Sequence, residues 1–67
     1  MELEMNAMIE KIEKRIENLR EENVQICEFM LRNAKSKTSN RSHAQNMIDN
    51  EAKIKELELV ISVIEEN

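Results

Sequence analysis

Between residues 9 and 30 the apolar side chains fall at Ile9, Ile12, Ile16, Leu19, Ile26 and Met30, with Asn23 in the one polar slot. Intervals of three and four keep one side of an α-helix apolar. Sustained over several turns, they form a seam along which one helix lies against another. Met5 continues the same register, so Met5, Ile12, Leu19 and Ile26 take one core position of the repeat and Ile9, Ile16, Asn23 and Met30 the other. The chain has no glycine and no proline, so neither of the two strong helix breakers interrupts the pattern. The spacing predicts a helix over residues 2–34.

Residues 35–41 (Lys-Ser-Lys-Thr-Ser-Asn-Arg) contain no apolar side chain and are rich in groups that compete with the backbone for hydrogen bonds. They are expected to form a turn. Ser42, His43, Ala44 and Gln45 then fit a capping box, in which Ser42 bonds the N–H of Gln45 and Gln45 reaches back, with Ser39 as the alternative cap. A second helix over 42–66 follows, with its own seam at Met47, Asn50, Ile54, Leu57, Ile61 and Ile64. A turn centred near Thr38 folds the two seams together as an antiparallel hairpin, all-α in class. That register sets Ile26 near Asn50, Asn23 near Ile54 and Leu19 near Leu57, with helix 1 overhanging by about eight residues at 1.5 Å each.

A single domain of 67 residues falls below the size at which one core is comfortable, and nothing here staples it. One cysteine makes no internal disulfide, and one histidine with one cysteine makes no structural zinc site, so neither metal nor cofactor is expected. Self-association is the remaining route to burial. The apolar surface for it is present: Val24, Cys27, Leu31 and Ala34 form a second stripe on helix 1, while Leu59, Val60 and Val63 widen the end of helix 2. An inverted second copy sets these two zones against each other and gives an antiparallel four-helix bundle. Cys27 reads as a small buried hydrophobe in that arrangement. Met5 and Met8 lie on the overhang and offer an adaptable surface to a partner helix. Asn23 and Asn50 on the seams are candidates for fixing register, since a buried Asn trades stability for specificity.

The most apolar stretch, residues 59–64 with Ser62 inside it, is far too short to cross a bilayer. The acidic start, Met1-Glu2-Leu3-Glu4, is unlike a signal peptide, and a cytoplasmic protein is expected. Ser, Thr and Asp49 show no arrangement of base and orienting group, and the chain is too small to enclose a substrate pocket. The expected function is therefore that of a small non-enzymatic regulator or adaptor, a homodimer that binds another protein through its helices.

The charge is uneven. No acid occurs between Glu28 and Asp49, where Arg32, Lys35, Lys37 and Arg41 supply four positive charges to a chain whose net charge is −4. One reading is a basic tip for phosphate or nucleic acid. The plainer one is a solvated turn, with cations favoured at the C-terminus of helix 1. In outline, a dimeric hairpin bundle is similar to the small RNA-binding proteins that control plasmid copy number, a similarity of fold without a shared motif. It is also similar in outline to the helical-hairpin phosphatases of sporulation signalling, whose Ser-Gln-x-x-x-Asp core is missing from helix 2. A third reading is a purely structural oligomerisation module.

Overall fold

A computed structural model describes the backbone of residues 2–35 and 37–66 and the side chains of residues 3–35 and 40–66. It is an all-α helical hairpin. Helix α1 spans Glu2–Arg32 and helix α2 spans Lys37–Glu66, packed along a body 52 Å long. With 31 and 30 residues the two helices are nearly equal, about 47 and 45 Å at 1.5 Å per residue.

Two asparagines close the turn. The Asn33 N–H donates to Phe29 O at 3.0 Å and to Met30 O at 3.2 Å, a shared bond that tightens the last turn of α1. The Asn33 amide adds a second bond to Phe29 O at 2.9 Å. From α2, the Asn40 amide reaches back to Asn33 O at 3.0 Å. Side-chain amides thus meet carbonyls that a helix end leaves open. No described residue has positive φ.

This turn is shorter than residues 35–41. Helix α1 stops at Arg32 rather than 34, and α2 begins at Lys37 rather than Ser42. The capping box at Ser42 does not form. Ser42 lies exposed inside α2, and the Gln45 amide bonds Asp49 Oδ1 at 3.1 Å, one turn further along the helix surface. The physical reason is that residues 37–41 hold nothing that forbids a helix. Each Ser, Thr or Asn costs roughly half a kcal/mol in helix propensity, and the early start brings Asn40 to the open carbonyl of Asn33.

A shorter turn moves the register by about one helical turn. Asn23 faces Asn50, not Ile54. Leu19 packs in one cluster with Ile16 and Ile54. Paired residue numbers add to about 73 instead of about 76, and the overhang of α1 falls to about five residues. Ile16, Leu19 and Ile54 are fully buried, and the seam residues Ile12, Leu57 and Ile61 pack against them. Ile9, Ile26, Met30, Met47 and Ile64 are half-buried along the same seam.

Candidate interaction site

Two features stand out, a buried polar lock inside the seam and exposed apolar stripes outside it. Asn23 and Asn50 are both buried, at 7% and 5% exposure. The Asn50 amide donates to Asn23 Oδ1 at 2.9 Å. Asn23 Nδ2 in turn donates to Glu51 Oε1 at 3.2 Å and to Met47 O at 3.4 Å. The pair therefore satisfies its buried polar atoms only when these two positions are level.

The seam buries little. Among the described residues, three apolar side chains are buried and nine large ones remain 40% exposed or more: Leu3, Met8, Val24, Phe29, Leu31, Ile48, Leu59, Val60 and Val63. They are not scattered evenly. Val24 lies one turn beyond Arg20, whose guanidinium meets Glu58 Oε1 at 3.4 Å and so marks one side of the hairpin. Cys27 and Leu31 continue that stripe toward the turn. Leu59 instead lies nine residues from the buried Asn50, two and a half turns away, and so points away from α1. The Val24 stripe and the Leu59 zone thus occupy different sides of the molecule. Cys27 is exposed in the single hairpin. The stripe it belongs to flanks the seam and is not covered by α2.

Met5 is half-buried and Met8 half-exposed near the start of α1. Arg32, Lys35 and Arg41 are exposed around the turn, and none makes an ion pair among the described residues. The side chain of Lys37 lies outside the described residues. His43 is not at the start of α2 but more than a turn inside it, half-buried, with its ring edge-to-face on Phe29 at 4.7 Å. Such a contact is worth about 0.5–1.5 kcal/mol and ties α2 to the end of α1.

Comparison with protein-family models, curated proteins and solved structures finds no match.

The described residues hold no group of three His, Cys, Asp or Glu placed to bind a metal ion. An open groove is bounded by Glu13, Ile16, Glu17, Arg20 and Glu58, three of them glutamates. No described helix is long and apolar enough to cross a membrane. Two residues of the surface went unmarked by the seam spacing, Ile48 and Ala52. Their signal is an offset of nine residues from seam positions Leu57 and Ile61.

Proposed function

We propose that this chain is a non-enzymatic interaction module, a regulator or adaptor that works as a homodimer and binds another protein through its helices. The observation that carries the reading is the imbalance, among the described residues, between three buried and nine exposed large apolar side chains. A hairpin with so thin an interior gains stability from association, and contiguous exposed apolar surface marks interaction sites. The stripe of Val24, Cys27 and Leu31 on the Arg20–Glu58 side is the surface assigned to the heterologous partner, with Met8 on the overhang as a second contact.

The test compares two baits in nuclease-treated lysate of the source cell, the native chain and the variant Val24→Asp/Leu31→Asp. A stoichiometric protein held by the native chain and lost from the variant is the expected result. Equal retention by both, with helicity unchanged by circular dichroism, removes the stripe from the account.

Nucleic-acid binding at the turn is a second reading, favoured by the exposure of Arg32, Lys35 and Arg41. With Lys37, four cations in a segment without acids supply a salt-dependent but modest attraction. Retention of nucleic acid that falls with added salt, and vanishes when all four are neutralised, distinguishes it from the adaptor reading.

A further inference from the structure

The bend is where the hairpin leaves polar groups least well matched. Asn40 donates its amide to Asn33 O at 3.0 Å, but its own Oδ1 is buried without a hydrogen-bond partner, the one such side-chain atom among the described residues. The Asn33 N–H is shared between two carbonyls, and the Asn33 amide turns back on Phe29 O. Yet nothing in the sequence obliges the chain to bend. Residues 33–36 read Asn-Ala-Lys-Ser, with neither glycine nor proline. Asn33 and Asn40 meet across the bend and are also seven residues apart. Seven residues are close to two helical turns, so in a straight helix these two lie on one side. The seam spacing then runs 26, 30, 33, 36, 40, 43, 47, in threes and fours without a gap.

We infer that at tens of micromolar the bend straightens and two copies exchange α2 about a two-fold axis through the former bend. This rests on the homodimer part of the proposed function and specifies its form. The contacts described across the hairpin join α1 to α2: Asn23 to Asn50 and Glu51, Arg20 to Glu58, Phe29 to His43, and Ile16 and Leu19 to Ile54. In the exchanged dimer each of them forms twice, between α1 of one copy and α2 of the other, with the same partners. Only the bend changes. Its backbone groups enter the helical ladder, so Asn33 O takes the N–H of Lys37 and the Asn40 amide is released. Asn33 and Asn40 of opposite copies then stand level, as Asn23 and Asn50 do. Charge opposes the exchange. Arg32, Lys35, Lys37 and Arg41 come from both copies to the centre of the rod, eight cations in a segment without acids. Salt screens them, so the exchanged form is favoured at about 0.15 M salt over low salt. The exchange uses the seam alone and leaves the Val24, Cys27 and Leu31 stripe open to a different partner.

Mass, length and cross-linking together test the exchange. Arg20 and Glu58 meet at 3.4 Å and are exposed, so Arg20→Cys/Glu58→Cys in a Cys27→Ser background accepts a short bismaleimide without touching the core. Sedimentation equilibrium gives the mass before linking, and small-angle X-ray scattering gives the length. Residues 2–66 as one straight helix span about 97 Å, against 52 Å for the hairpin. Exchange predicts a dimeric mass, a length near the larger value and two chains joined by the linker. A dimeric mass with each chain linked only to itself overturns the exchange while the homodimer stands. A dimeric mass with joined chains at the hairpin length shows closed hairpins side by side, and also overturns the exchange alone. A single-chain mass overturns both. A second variant leaves the helices untouched: five Gly and Ser residues inserted after Lys35 let each chain close on itself, and are expected to weaken the dimer roughly tenfold or more. Undiminished association of that variant, with helicity intact, overturns the inference.

Discussion

Asn50 donates its side-chain amide to Asn23 Oδ1 at 2.9 Å across the hairpin, and both residues are buried. A slip of one turn sets each amide against an isoleucine and strands its polar atoms, at about 1–3 kcal/mol for each unsatisfied group. The pair therefore penalises the wrong register more than it strengthens the right one. Replacing Asn23 alone with Leu is expected to cost about 1–3 kcal/mol in urea unfolding, because Asn50 loses its acceptor. The double variant Asn23→Leu/Asn50→Leu should recover most of that stability and lose uniqueness, seen as broadened or doubled amide resonances. A double variant with one sharp set of resonances shows that the seam spacing alone fixes register.

The shortened turn makes an independent prediction. Ser42 is exposed in the interior of α2, so Ser42→Ala is expected to be neutral or to stabilise by up to about half a kcal/mol through helix propensity. A cap at that position would make the same substitution cost about 1 kcal/mol. Asn40→Ala removes the bond to Asn33 O and should cost about 0.5–1.5 kcal/mol. Thermal unfolding at one fixed protein concentration separates the two outcomes.

The contrast between seam and turn explains what could be read from the residues. Ile9, Ile12, Ile16 and Leu19 announce a helix because burial repeats with the helical period, and α2 announces itself through Ile54, Leu57, Ile61 and Ile64. The turn boundary was not legible. Thr38, Ser39 and Asn40 are weak helix formers, and the choice between helix and turn there depends on whether Asn40 finds Asn33 across the bend. Five residues of boundary then moved every cross-hairpin pair, including Asn23 from Ile54 to Asn50. Ile48 stayed hidden for another reason. A second stripe opposite the first blurs the periodicity that a single stripe displays.

The small core should be unforgiving. Leu19 and Ile54 are each only 2% exposed and sit in the same cluster. Leu19→Ala or Ile54→Ala is expected to cost about 2–5 kcal/mol, a large share of the roughly 5–15 kcal/mol that holds a typical domain together. Denaturant titration monitored by circular dichroism should show the midpoint falling sharply or the native baseline disappearing. Arg20→Ala should change stability by no more than about 1 kcal/mol, since its ion pair with Glu58 is exposed on both sides.

Self-association is the claim on which the adaptor reading depends, and solution mass tests it most directly. Sedimentation equilibrium of the native chain at tens of micromolar is predicted to give twice the 7.9 kDa of one chain. A mass of 7.9 kDa across that range would contradict the account and leave a hairpin that carries its exposed stripes alone.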